Sequence, residues 1–231
     1  MMKRIMAAIA AGVALCISGF AQSSQSGNAQ SSQNYEPATP AAFVSVSAIG
    51  TFAGEFGYNS PGAGAVIAVG IPLPRNLYLT EDLWIVREHK TGFERGRTVA
   101  ALTGLQYHLP SGVSLRAKLQ ITNHTNELYT KWATRANLGA GWARLSKSSA
   151  LPLIELESLA QLPLSDQNKS WGLKTSIGGF YEFPHNAFGV KGKLTGAVMN
   201  ARDSFTPRRG WARYGSVEFG VFVNLSAIAG N

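Results

Sequence analysis

The stretch GVSLRAKLQIT, residues 112–122, decides the fold. Beyond Gly112, the side chains of Val113, Leu115, Ala117, Leu119 and Ile121 alternate with those of Ser114, Arg116, Lys118, Gln120 and Thr122. Successive side chains of an extended chain point to opposite faces, so this segment is a strand with one apolar face and one strongly polar face. The same period of two recurs near 42–57, 62–71, 77–88, 98–109, 130–144, 151–162, 171–183, 187–199 and 211–225, which predicts ten strands, with eight as the alternative count. After residue 41 no stretch is apolar for long enough to cross a bilayer as a helix, and none sustains a 3.6-residue period. The expected fold is an all-β, antiparallel, up-and-down barrel over residues 42–225, followed by a short tail at 226–231.

The N-terminus reads as an export signal. Lys3 and Arg4 precede an apolar run from Ile5 to Phe20, and Gly19 and Ala21 supply the small residues that place cleavage after Ala21. The run is shorter than a spanning helix, and Cys16 lacks the small preceding residue of a lipidation site, since Leu15 stands there. Removing residues 1–21 leaves a mature chain without cysteine, which excludes disulfides and thiolate metal sites. Residues 22–41, rich in Ser, Gln, Asn, Pro and Ala, are expected to be a disordered tether.

The mature chain keeps 19 basic and 13 acidic residues. A positive balance suits nucleic acid or an anionic membrane surface, but these charges are scattered through the alternating segments and form no basic run. Nucleic acid is therefore not an expected partner.

Connections and aromatic spacing favour a barrel that crosses a membrane. Working back from the last strand, Pro184-His185-Asn186, residues 146–150, Pro110-Ser111 and Pro72 to Asn76 form one set of tight turns. The alternate set, 200–210, 163–170, 123–129 and 89–97, is longer and more polar, with 58–61 as a short exception. Outer-membrane barrels have this asymmetry, and an even strand count leaves both termini on the side of the short turns. On the strand at 130–144, the face Trp132, Thr134, Ala136, Leu138, Ala140, Trp142 is apolar with tryptophan at both ends. At a rise of ~3.3 Å and a tilt of about 40°, those ten residues climb roughly 25 Å, the height of the apolar band between aromatic girdles. Trp171 and Tyr181 repeat the spacing. The fold-level alternative is a soluble secreted β-barrel, whose apolar faces would point inward and whose Arg116 and Lys118 would face water.

In this architecture the chain resembles the small bacterial outer-membrane β-barrel proteins, the class that includes the OmpA transmembrane domain and the opacity-type adhesins. The resemblance covers residues 42–225 and rests on no residue motif. It implies an antiparallel transmembrane barrel in the outer membrane of a Gram-negative cell envelope, with outer-membrane lipid and the insertion machinery as partners. Members of the class often end in a strand with a terminal aromatic; here Tyr214, Phe219 and Phe222 lie on the last strand, but the chain continues through LSAIAGN.

With apolar faces toward lipid, the opposite faces line a lumen that holds Arg116, Lys118, Arg135, Glu155, Glu157, Lys174, Lys191, Lys193 and Glu218. Opposite signs on neighbouring strands predict an ion-pair network, because a bore this narrow is largely filled by side chains and buried charges must be paired or wet. A structural or surface-interaction role follows. The alternatives are a small pore that favours anions, from the basic excess, and an enzyme that modifies envelope lipids.

Catalytic patterns are absent: none of His89, His108, His124 and His185 lies in HExxH, and there is no G-x-S-x-G. His124 and Glu127 make an H-x-x-E pair expected in an external loop. No cofactor, metal or catalytic residue is assigned. The Gly62, Gly64, Gly70 segment is no dinucleotide fingerprint, and its small residues allow close packing. Arg95 and Arg97 in one external loop, and Arg202, Arg208 and Arg209 in another, are candidate contacts for lipopolysaccharide phosphates.

Overall fold

The computed structural model describes residues 40–52, 61–88, 96–125, 130–146, 150–164, 170–184, 186–202 and 209–229. Ten strands form: β1 (Phe43–Thr51), β2 (Gly62–Leu73), β3 (Leu77–Glu88), β4 (Gly96–His108), β5 (Val113–Thr125), β6 (Thr130–Leu145), β7 (Pro152–Pro163), β8 (Trp171–Glu182), β9 (Phe188–Arg202) and β10 (Arg209–Asn224). Each strand pairs antiparallel with its neighbours in sequence, and β1 closes on β10 with Phe43 opposite Asn224 and Thr51 opposite Ser216. The result is a closed up-and-down barrel, which leaves no unpaired sheet edge.

Alternation sorts the two faces as the quoted stretch requires. On β5 Ser114, Arg116, Lys118, Gln120, Thr122 and His124 are buried inside, while Leu115, Leu119 and Ile121 are exposed outside. The outer wall continues with Val46, Ile67, Leu83, Ile85, Leu105, Leu138, Ile177, Leu194, Val198, Val217, Phe219 and Val221, all exposed. The apolar faces thus point outward, opposite to the arrangement of a soluble barrel.

The tight turns share one rim with both ends of the barrel. At Pro74-Arg75-Asn76-Leu77 the two central residues take positive φ, the backbone of a type I′ turn that matches the twist of a hairpin. Gly112, at φ +80°, closes the turn between β4 and β5 by donating to the Leu109 carbonyl. A five-residue helix, α1 (Leu225–Ala229), follows β10, and the Asn224 side chain caps it by accepting from the Ala227 amide at 3.2 Å.

Several expected boundaries shift. Strand β1 ends at Thr51, so its connection to β2 runs over 52–61 and is no longer the short exception; residues 53–60 lie outside the described residues. Strand β5 runs on to Thr125, and β9 and β10 extend to Arg202 and back from Arg209, because backbone pairing continues past the last apolar residue. The expected leader and most of the expected tether lie outside the described residues, but Ala41 is buried and donates its amide to the Ala150 carbonyl at 3.0 Å.

Candidate functional site

The interior is filled in tiers. At the rim of tight turns, Phe43, Tyr78, Phe222, Leu151, Ala41 and Ala68 pack together with Phe180. Phe180 meets Phe43 and Phe222 edge to face, at centroid separations of 4.8 and 5.2 Å. The Tyr78 hydroxyl donates to the Ala41 carbonyl at 2.8 Å, fastening the incoming chain across the opening. Gly70 makes room for this plug, since a Cβ there would strike the Tyr78 hydroxyl and the Phe43 ring.

Above the plug lies the charged tier. Glu157 accepts from Arg116 Nη1 at 2.8 Å and from Lys118 Nζ at 2.7 Å, with Lys193 Nζ at 3.9 Å. Arg116 Nη2 sits 2.6 Å from Glu155 Oε1, and Arg116 Nε donates to Ser114. Lys191 Nζ lies 2.7 Å from Glu218 Oε1 and donates to Ser45. The strands put these groups in reach because β5, β7, β9 and β10 all aim even or odd positions of one parity inward at similar distances from the turns. Farther along, Lys174 Nζ stands 4.7 Å from the centre of the Trp84 ring, Arg135 donates to Ser170, and Gln120, Asn137 and Gln161 form an amide cluster. All nine residues expected in the lumen therefore face the interior, Glu155 and Lys193 half-buried and the rest buried. The alternation places Gln120 and Asn137 on the polar, lumenal face; Asp82, Trp84 and Gln161 were not singled out, although the same alternation marks their face.

Between plug and charged tier lies a cavity with about 70 Å³ open to the centre of a water molecule, lined by Tyr78, His108, Arg116, Glu155, Phe180 and Lys193 among others. That volume holds a few waters.

His124 is a correction. It sits on β5 facing inward, and Glu127 lies outside the described residues. Its neighbours are Glu88 of β3 and Thr98 of β4: Thr98 Oγ1 donates to Glu88 Oε1 at 2.8 Å and lies 3.0 Å from His124 Nδ1, which is 3.5 Å from the same carboxylate oxygen. Hydroxyl and carboxylate thus both approach Nδ1 of the ring. The cluster is a hydrogen-bonded tie among three strands. Among the described residues no group of three or more His, Cys, Asp or Glu is placed to hold a metal ion.

The expected girdle residues Trp132, Trp142, Trp171 and Tyr181 all lie on the outward face, Trp132 and Tyr181 exposed and the other two half-buried. Trp211, exposed at the start of β10, packs edge to face on Trp171 at 5.4 Å and was not anticipated. At the other rim Phe183 joins Tyr181 to Phe188.

Three of the five arginines expected in loops stand on strands instead. Arg97 is an exposed strand residue of β4, directly opposite Arg87 of β3; Arg202 and Arg209 are paired in the β9–β10 ladder; Arg95 and Arg208 lie outside the described residues. The strands reach farther toward the long connections than their apolar residues indicate.

No family model and no curated protein matches the chain. Seven chains of solved structure match, among them the crystal structure of Neisserial surface protein A (NspA), 13% identical, with a TM-score of 0.41 and coverage of 79% of this chain and 96% of that chain. A likeness of that degree carries no functional information.

Proposed function

We propose that this chain is an outer-membrane β-barrel protein that spans the bilayer with its ten strands and has a structural or surface-interaction role. One observation carries the reading: between its aromatic ends the outer wall is apolar but for a few polar positions such as Glu81 and Arg213, and the charges of the interior gather in ion-paired groups around Glu157 and Glu218. In water such a wall would expose a continuous apolar surface far larger than a soluble protein tolerates. In a bilayer the same wall is solvated by acyl chains, and a closed barrel leaves no backbone group unsatisfied. The Lys3–Ala21 leader pattern supports export, and scattered basic residues without a run fit no nucleic-acid groove. The partners this implies are outer-membrane lipid, lipopolysaccharide on the outer side, and the insertion machinery, for which β10 offers the exposed Phe219.

The filled interior speaks against the pore. The aromatic plug closes the rim of tight turns, and the Arg116, Lys118, Glu155 and Glu157 cluster crosses the bore above it.

Two measurements test the proposal. The purified full chain, refolded with phospholipid vesicles, is expected to float with them and to migrate faster on a detergent gel before heating than after; recovery in the aqueous fraction would overturn the spanning reading. In planar bilayers no discrete conductance steps are expected, and reproducible openings would overturn the closed interior.

A further inference from the structure

The outward face carries a polar row that the filled lumen does not explain. Arg87 of β3 stands directly opposite Arg97 of β4, Arg97 opposite Thr125 of β5, and Thr125 opposite Thr130 of β6. All four have the outward parity of their strands, and both arginines are exposed. They lie at the ends of their strands nearest the long connections. The next outward row toward the tight turns is Ile85, Val99, Asn123 and Trp132, so apolar wall and a girdle tryptophan begin one step below.

Like charges directly opposite on one face destabilise a sheet pair. No carboxylate is recorded within ion-pair distance of Arg87 or Arg97 among the described residues, and their neighbours in the row are hydroxyls and, on β2, Ala63. The Thr125 and Thr130 hydroxyls are 3.4 Å apart, and Thr125 donates to Asn123. Two exposed guanidiniums stand side by side on one strip of wall with no carboxylate in the row, an arrangement whose planar forks suit a phosphate in bidentate fashion, with the Thr130 hydroxyl as a further donor. Its location points to the source of that phosphate: the row stands directly above an apolar band of Ala65, Ile85 and Val99, along which the acyl chains of a phosphorylated amphiphile would lie.

We infer that Arg87 and Arg97, flanked by Thr125 and Thr130, form a binding site on the barrel's outer wall for the phosphate headgroup of an outer-leaflet lipid, of the phosphorylated saccharolipid class. This rests on the spanning reading and deepens it, moving the lipid contact from the connections to the wall.

The test is native mass spectrometry of the full chain in detergent, titrated with diphosphorylated lipid A, with dephosphorylated lipid A and with inorganic phosphate. Wild type is expected to retain the diphosphorylated lipid and to bind the other two at least tenfold more weakly. R87Q/R97Q is expected to lose about tenfold in affinity for it, since each charge-assisted bond at an exposed site contributes severalfold. R75N, which removes a cation from the opposite rim at a position whose positive φ asparagine tolerates, is expected to bind as wild type. Without lipid, R87Q/R97Q is expected to melt no lower than wild type, because the repulsion is gone. Equal affinity of R87Q/R97Q and wild type, or an equal loss in R75N, would overturn the site. Inorganic phosphate bound as tightly as the lipid would overturn the lipid assignment. If the vesicle flotation above succeeds and this titration fails, only the phosphate site falls; if flotation fails, both do.

Discussion

Arg116 Nη1 reaches Glu157 Oε2 at 2.8 Å across the width of β6, joining β5 to β7 through the barrel interior. The same oxygen accepts from Lys118, so one carboxylate bridges two cations of a single strand, with Glu155 as a second acceptor for Arg116. Removing one member of a buried ion pair leaves the other charge desolvated, which costs about 3–5 kcal/mol. E157Q is therefore expected to lower the unfolding free energy by about 3 kcal/mol, read by denaturant titration in vesicles. E155Q is expected to cost about 1 kcal/mol, because Glu155 is a quarter exposed and Arg116 keeps Glu157.

The lumen was legible because it obeys period two: once Leu115 and Ile121 face out, Arg116 and Lys118 must face in, and strands adjacent in sequence are adjacent in the barrel. What the alternation does not carry is register. Glu88, Thr98 and His124 meet only because β3 pairs Glu88 with Gly96 and β4 pairs Thr98 with His124, far beyond any local pattern. The ladder also continues through polar residues, so Arg97 and Arg202 read as loop when judged by hydrophobicity. The plug was hidden for another reason: Phe43, Tyr78, Phe180 and Phe222 are aromatics on inward faces, where the pattern expects polar groups.

Thr98 supplies the hydroxyl that lies between Glu88 and His124. T98V keeps the shape and removes that link, leaving a buried carboxylate with one fewer donor. A loss of about 1–2 kcal/mol is expected from the unpaired acceptor, visible as earlier hydrogen exchange at the ends of β3, β4 and β5 nearest the long connections, with the tight-turn ends unchanged. Uniform exchange along the three strands would show that the tie is not local.

Glu81 is an exception to the apolar wall. It points outward, flanked along β3 by Leu79 and Leu83, and accepts a 2.7 Å hydrogen bond from its cross-strand partner Thr103. A carboxylate on a lipid-facing surface is unfavourable, less so than a basic residue, and the threonine offsets part of the cost. E81L is expected to stabilise the barrel in vesicles by about 1–2 kcal/mol, whereas T103A is expected to destabilise it by about 1 kcal/mol. In detergent with a looser, wetter boundary, both effects should shrink. If E81L instead destabilises in vesicles, Glu81 is not facing hydrocarbon.

Gly141 permits the Arg116 network. It faces inward on β6, opposite Ser114, and a Cβ built there falls on the Arg116 guanidinium. G141A must displace that group from Glu155 and Glu157, at an expected cost of about 1–3 kcal/mol for the overpacking. The cost should depend on what Arg116 loses by moving. In the E157Q background the guanidinium has already lost one of its two carboxylates, so G141A should cost less there. The double-mutant cycle is expected to give a coupling of about 1 kcal/mol or more, measured by unfolding of all four proteins in the same vesicles. Additive effects would mean that Arg116 adapts to the methyl without releasing Glu157, and that the glycine serves only the backbone of β6.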